Sequence, residues 1–461
     1  MPVDVSELTR LLGTDVVFTE SEMLEAGAHD VWAVTAKQTL RGAYPYRPDA
    51  VVRPADESQV RTVVNWANDA RVPVTPRGLG SAVTGAAVPM HGGIVLDLSR
   101  LTGIIQCNET DLTVAVRAGT RGSDLEQELQ QRGYTLAHSP QSLELSSVGG
   151  WLATRATGQF SSKYGGIEDL ALGFTVVLAT GETVTLPSTP RAALGPDLRH
   201  LFLGGEGSFG VITRATLKIF PAPGHRVVEA LRLPDVRAGV ETMRQITSAG
   251  LRPFLVRCYD PAEATLALNE PDFDGCALFL GSEGVRAVAE AEHAEAARIA
   301  REHGAQSLGT GPVQRWMEHR FDYTALEQIL RTPGGVAETI EVAHFWSGIL
   351  DLHAELTSTL APLASVLGHF SHVYPQGTSL YLILLGEERD AAAAEARLRE
   401  IWDTAMRVCL EQGGSIAHHH GVGMARLPYV RDALGDSAIL LERVKAALDP
   451  ANTLNPGKLG L

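Results

Sequence analysis

Hydrophobic spacing divides the chain into strand-like and helix-like stretches that alternate. Residues 50–54 (AVVRP) are apolar and extended and stop at a proline. The following ADESQVRTVVNWANDA places Val60, Val63, Val64 and Ala67 at helical spacing behind an acidic first turn, and predicts a helix. RVPVTP reads as a second short strand and leads into a glycine-rich loop, PRGLGSAVTGAAVP. GGIVLDLSRLTGIIQCNETDLTVAVRAG predicts strands joined by turns, and SDLEQELQQRGY an amphipathic helix with Ser123 as its N-cap. FTVVLATGETVTL predicts a hairpin around Thr180, Gly181 and Glu182. LRHLFLGGEGSFGVITRATLKIFPAP predicts a helix, a second glycine-rich turn and a strand pair, and Pro221 and Pro223 then mark a domain boundary. Residues 136–166 carry no regular period and are rich in Ser, Thr and Gly. So long a polar stretch within a well-patterned chain points to function.

Beyond Gly224 two segments look alike, ALFLGSEGVRAVAEAEHAEAARIAREHGA and YLILLGEERDAAAAEARLREIWDTAMRVCLEQGG. Each is an apolar strand, a Gly-Glu turn, a long Ala-rich helix and a closing glycine. They predict two related halves of one α+β unit, an antiparallel sheet backed by helices. The last helix is expected to stop at Asp449 and Pro450.

Composition narrows the function classes. With 461 residues, 44% of them apolar, the chain can bury the cores of two or three domains. A net charge of −15 argues against nucleic acid as a partner. No apolar run approaches the length of a membrane span, and the first residues do not read as a secretory signal. Four scattered cysteines with no CxxC pair suit reduced thiols in a cytoplasmic protein.

The chemistry concentrates in four segments. The first is the loop Pro76, Arg77, Gly78, Leu79, Gly80, Ser81 and Ala82, which follows a predicted strand. Successive backbone N–H groups in such a loop can cradle a pyrophosphate. It matches neither a P-loop nor GxGxxG. The second contains Gln141, Ser142, Ser146, Ser147, Gly149 and Gly150; the third, Thr154, Ala156 and Thr157; the fourth, Glu206, Gly207, Gly210, Val211 and Ile212. In order and spacing the set resembles the FAD-binding domain of the vanillyl-alcohol oxidase / p-cresol methylhydroxylase (PCMH) superfamily. The ending LDPANTLNPGK, with Asn455, matches that superfamily's usual close.

The resemblance implies an α+β fold: a two-part PCMH-type FAD-binding domain over residues 46–223 and an α+β cap domain with an antiparallel sheet over 224–412. Residues 1–45 would form an N-terminal helical segment, its AHDVWAVTAKQTLRG lying against the adenine end of FAD. Residues 413–461 would return to the flavin. The residues of the four segments, with Asn455, are implied to bind FAD. Relatives that tether the flavin use a His in the first loop; this loop has no His or Cys, so noncovalent FAD is expected.

Within the superfamily, GSIAHHHGVG (residues 414–423) resembles the triple-His segment of alkyl-dihydroxyacetonephosphate synthase, as does YPQGTSLY (374–381). The likeness implies catalytic roles for Tyr374, His418, His419 and His420, and for Arg257. Their chemistry agrees. His works as an acid or base near neutral pH, Tyr relays protons, and Arg orients carboxylates or phosphates. Three consecutive extended residues cannot all face one pocket, so two of the three His are expected to function there. The metal motif of the hydroxy-acid dehydrogenase branch retains only His372, with Ser379 and His419 at its other positions, so no metal is expected.

The synthase's substrate Arg falls near Glu327, where Arg331, a helical turn on, could replace it; Met424 stands where a Lys is common, while Arg426 is retained. Three readings follow. The leading one is an FAD-dependent oxidoreductase acting on a small alcohol, hydroxy acid or related metabolite, with O2 or another acceptor. The others are a synthase-like transferase without net redox and a non-catalytic flavin-binding protein. A homodimer is expected only by analogy.

Overall fold

The structure is a computed structural model and describes residues 3–461. The first strand-helix-strand unit forms as its pattern requires. Ala50–Val52, Ile94–Asp97 and Val74–Arg77 are parallel neighbours in that order, with Val17–Phe18 antiparallel at one edge. Ala50–Val52 and Ile94–Asp97 are buried along their whole length, as parallel strands covered on both faces are. Helix Glu57–Ala70 is capped by Asp56, whose carboxylate accepts from Gln59 N at 2.9 Å, and it buries Val60, Val63, Val64 and Ala67.

A five-stranded antiparallel sheet follows, in the order Ile104–Asn108, Thr113–Arg117, Val211–Lys218, Ala171–Val177 and Thr183–Leu186. The last two form the predicted hairpin, with Gly181 at φ +80° in its turn. The expected strand pair after the second glycine-rich turn is instead one long strand. Both edges of Val211–Lys218 are taken by Thr113–Arg117 and Ala171–Val177, and short Phe220–Pro221 pairs with Tyr134–Thr135. The helix expected to begin after Ser123 begins at Gly122, with no side-chain cap. Only glycine fits that first position: a Cβ on Gly122 would lie 2.8 Å from Leu143 Cδ1 and overlap Trp151. Within the stretch expected to be irregular lies helix Val148–Thr154, capped by Ser147. Glycine's weak helix propensity disguised it, since Gly149 and Gly150 fill its first turn.

The second half is a seven-stranded antiparallel sheet, ordered Gln306–Gly309, His225–Leu233, Cys276–Gly284, Leu255–Tyr259, Ser365–Ser371, Gly377–Glu387 and Gly335–Phe345. The two look-alike segments are strand-helix pairs, Cys276–Gly284 with Arg286–Glu302 and Gly377–Glu387 with Ala391–Glu411. Ala296, Ala300, Leu398, Ile401 and Ala405 from these helices share one core with Leu278, Leu280, Leu382 and Leu384.

Two terminal segments tie the halves together. Helix Ala33–Leu40 packs on helix Ala391–Glu411 of the second half, and Val31 and Ala33 of the segment expected against the adenine end of FAD line the cavity between the halves. Buried Lys37 anchors the helix: Nζ donates to Leu330 O and Thr332 O at 2.7 Å each, satisfying carbonyls at the end of helix Thr324–Arg331. Near the other terminus, Val74 N donates to Thr453 O and Asn455 N to Val74 O, both at 2.7 Å, and Lys458 Nζ donates to Val88 O at 2.7 Å. No helix of the described residues is long and apolar enough to cross a membrane.

Candidate active site

A cavity of about 770 Å³ lies between the two halves, within the range of ligand clefts. One wall is main chain and small side chains. Every residue of the loop from Pro76 to Ala82 lines it, with Gln141, Ser142, Ser146, Ser147, Gly149, Gly150, Thr154, Ala156 and Thr157, and Glu206, Gly207, Gly210, Val211 and Ile212. These segments meet because they lack side chains where they cross. A Cβ on Gly78 would overlap Ser147 Oγ; one on Gly207, at φ +77°, would stand 2.8 Å from Pro76 Cγ. Among the described residues, the backbone N–H groups of Leu79, Gly80, Ser81 and Ala82 are not spent on internal hydrogen bonds. Asn455 lies off the cavity. It is buried and donates to Glu206 O at 2.6 Å, tying the C-terminal return to the fourth segment.

The triple-His loop hangs between two buried carboxylates. Glu341 accepts from the backbone N–H of His418, His419 and His420 at 3.0, 3.2 and 2.5 Å and from Arg426 Nη2 at 2.7 Å. Burial pushes the Glu341 carboxyl up, but Arg426, His420 and these donors outweigh it and hold it below the usual carboxylate range. Glu206 accepts from Val422 N at 2.5 Å and Gly423 N at 3.0 Å. Arg426 is fully buried and also donates to Ile416 O and Gly421 O, so it pegs the loop and holds no ligand.

The loop divides its three imidazoles. His419 and His420 line the cavity, while His418 turns to Tyr374, whose hydroxyl lies 2.9 Å from His418 Nε2. Tyr374 also lies off the cavity. His418 Nδ1 and His419 Nδ1 are 2.9 Å apart, so one of them carries a proton for the other. Continuous hydrogen bonding therefore runs from the cavity through His419 and His418 to Tyr374. Burial lowers His418 and His420 to about 4 and His419 well below its ordinary value. These rings are neutral near pH 7 and available as proton acceptors. His372 joins them, with Nδ1 2.8 Å from Ser161 Oγ and its ring stacked 5.1 Å from that of His418. One ligand nitrogen from each of His372, His418 and His419 falls within 4.8 Å of the others.

The second half supplies the rest of this wall. Arg257 lines the cavity from Leu255–Tyr259, as expected. Glu327 also lines it, but Arg331 does not replace the missing Arg. It is exposed and paired with Glu327 at 2.9 Å. His369, Tyr381 and Glu338 line the cavity without having been singled out. Burial raises the carboxyl of Glu338 to about 7 and the hydroxyl of Tyr381 to about 12. Alternation along Ser365–Ser371 was the available signal for His369, but its neighbours come from other strands: Tyr259 and Tyr381 stand opposite it in register.

Residues 48–187 match the family description "FAD binding domain", and residues 222–459 match "FAD linked oxidases, C-terminal domain". The chain belongs to the FAD-linked oxidases. Among them it is 31% identical to the uncharacterized FAD-linked oxidoreductase YgcU of Escherichia coli, over 99% of this chain and 97% of that protein. It is 28% identical to alkyldihydroxyacetonephosphate synthase of Dictyostelium discoideum, over 89% of this chain and 73% of that protein. Glycolate oxidase subunit GlcD of Bacillus subtilis is 27% identical over 90% of each. A solved alkyldihydroxyacetonephosphate synthase superposes with a TM-score of 0.82 at 25% identity, over 98% of this chain and 84% of that one. p-Cresol methylhydroxylase superposes at 0.84 with 17% identity, over 99% and 96%, and shares the fold.

This FAD-linked oxidase is an FAD-dependent oxidoreductase of α+β architecture. The glycine-lined wall fits the cofactor: open N–H donors suit its phosphates, and the glycine crossings allow close approach.

Proposed function

We propose that this oxidoreductase takes two electrons from a small alcohol, hydroxy acid or related metabolite bound against the imidazole wall. The neutral rings of His419 and His420, which share the cavity lining with Arg257, carry the reading. FAD held against the glycine-lined wall would supply the two-electron acceptor for hydride removal. Arg257 orients the substrate's carboxylate or oxyanion, and His419 or His420 accepts the hydroxyl proton. A proton taken up at His419 passes through His418 to Tyr374, which acts one step behind the substrate. The name of GlcD supports a hydroxy-acid substrate.

FAD would be held noncovalently, because the cavity-lining residues 76–82 include no His or Cys. Four free cysteines accord with a cytoplasmic enzyme. The triple-His loop and the synthase relatives favour a second reading, a transferase without net redox. Against it stands the lack of a basic anchor where Glu327 stands, since Arg331 is exposed and tied to Glu327 rather than lining the cavity.

Anaerobic titration of the FAD-loaded protein with a panel of alcohols and 2-hydroxy acids tests the choice. Bleaching of the flavin band supports the oxidoreductase. Turnover of an acyl-dihydroxyacetonephosphate ester without oxidant consumption would replace it with the transferase. Denaturation that releases FAD into the supernatant supports noncovalent binding, and flavin retained by the precipitate refutes it.

A further inference from the structure

His369 stands apart from the triple-His loop, on strand Ser365–Ser371, and neither its motif nor the proton path just described uses it. It is 2% exposed and lines the cavity. Its Nδ1 lies 2.8 and 3.0 Å from the two carboxylate oxygens of Glu263, itself buried. Its Nε2 makes no hydrogen bond within the described residues, yet is absent from the sealed, unpartnered polar atoms, so it keeps access on the cavity side. The ring plane is fixed on two more sides. Tyr381 stacks on it at 4.8 Å and 18°, and Tyr259 meets it edge-on at 5.8 Å.

Helix Pro261–Leu268 is built to deliver the carboxylate. Asp260 caps it by accepting from Glu263 N at 2.8 Å, which leaves the Glu263 side chain free to reach His369. A carboxylate at Nδ1 makes that nitrogen the N–H and leaves the lone pair on Nε2. Arg257 Nη2, 3.3 Å from Nδ1, then faces another donor rather than an acceptor.

We propose that His369 is a second hydroxyl-binding, proton-accepting residue of the cavity, its Nε2 lone pair aimed at the ligand by Glu263 as positioning residue. The hydroxyl-bearing ligand class rests on the oxidoreductase reading. In the step, taken when the reacting hydroxyl lies against His369 instead of His419 or His420, the ligand O–H bond breaks, its proton goes to Nε2, and its electron pair stays on oxygen. Glu263 counters the imidazolium so formed. Around the ring stand Glu263, Asp260, Arg257, Tyr259, Tyr381 and His372. Burial first and Arg257 next lower its proton affinity against the pull of Glu263, which keeps the resting ring neutral.

The test uses the FAD-loaded protein with 15N-labelled histidine. Nitrogen NMR reads the tautomer, and His369→Gln identifies the signals. A neutral ring with protonated Nδ1 and bare Nε2 at about pH 7 supports the assignment. A protonated Nε2, or an imidazolium, overturns it. The second readout is anaerobic flavin reduction by whichever alcohol or 2-hydroxy acid of the panel bleaches the wild type. His369→Gln lowers that rate about 100-fold with flavin content unchanged. An unchanged rate overturns the proposal. Glu263→Gln moves the acidic limb of the rate profile to lower pH, because the ring loses its counter-charge; a purely structural Glu263 would leave the limb in place. If no panel member bleaches the wild type, the oxidoreductase reading falls, and the tautomer still decides His369.

Discussion

The two walls of the cavity are made by opposite means. The glycine-lined wall comes from four short segments of main chain and small side chains, where glycine at the crossings lets backbone meet backbone. The facing wall comes from side chains on separate strands and one suspended loop. A main-chain site tolerates change in its side chains but not the addition of a Cβ at its crossings. A side-chain site tolerates conservative exchange but depends on the buried groups that hold it. The walls should therefore fail in different ways.

The largest effect expected is at a crossing. Gly207→Val places a branched side chain at φ +77° against Pro76. The backbone alone costs about 1–3 kcal/mol, and the clash adds to it. The purified variant is expected to lack the flavin absorption band; full flavin content would remove the contrast between the walls.

Next is the peg of the opposite wall. Arg426→Met leaves Glu341 buried and unpaired, at about 3–5 kcal/mol, read as a lower denaturant midpoint. The same ion pair sets a pH dependence. Glu341 titrates below its ordinary 4.5 in the folded chain. Its contribution is thus complete above the unfolded value and is lost as pH falls through the folded one. The stability advantage of the wild type over a Glu341→Gln variant, read from denaturant midpoints, should therefore shrink as pH falls below 4.5.

A smaller, cleaner effect separates the imidazoles. His419→Asn should keep FAD and slow flavin reduction about 100-fold, whereas Tyr374→Phe, behind the cavity, should slow it about 10-fold. Stopped-flow reduction with one donor compares them, and a larger loss at Tyr374 would reverse their order. The smallest effect is at Arg331. Its pair with Glu327 is exposed on both sides, so Arg331→Ala should change stability by less than about 1 kcal/mol in thermal unfolding.

The same contrast explains what the sequence let one read. The glycine-lined wall was legible because each part is contiguous: a run of glycines and small polar residues carries the whole local geometry. Helix Glu57–Ala70 and the two strand-helix pairs were legible through their period. Helix Val148–Thr154 was not, because glycines needed for approach stand where helix formers would. Ser123 looked like a cap, but it lies inside a helix that begins at Gly122 without a side-chain cap. Most of the facing wall lies in pairings between strands far apart in the chain. His369 meets Tyr259, Tyr381 and Glu263 through register and a helix cap, and it lies 106 positions beyond Glu263, so no short window joins it to the helix that holds it. The triple-His run was conspicuous, yet Glu341, which holds its backbone, lies 77 positions before the first of them.

The C-terminal return has a consequence for biosynthesis. Val74, on the strand that leads into the first glycine-rich loop, gains its outer backbone partners from Thr453 and Asn455, and Lys458 closes over Val88 from 370 positions away. On the ribosome, the earliest-made half of the cofactor cradle thus waits with an unfinished edge until nearly all the chain has emerged. Flavin loading is in this sense a late event of synthesis, and a nascent chain arrested before residue 453 should bind FAD poorly even though all four glycine-rich segments are already present.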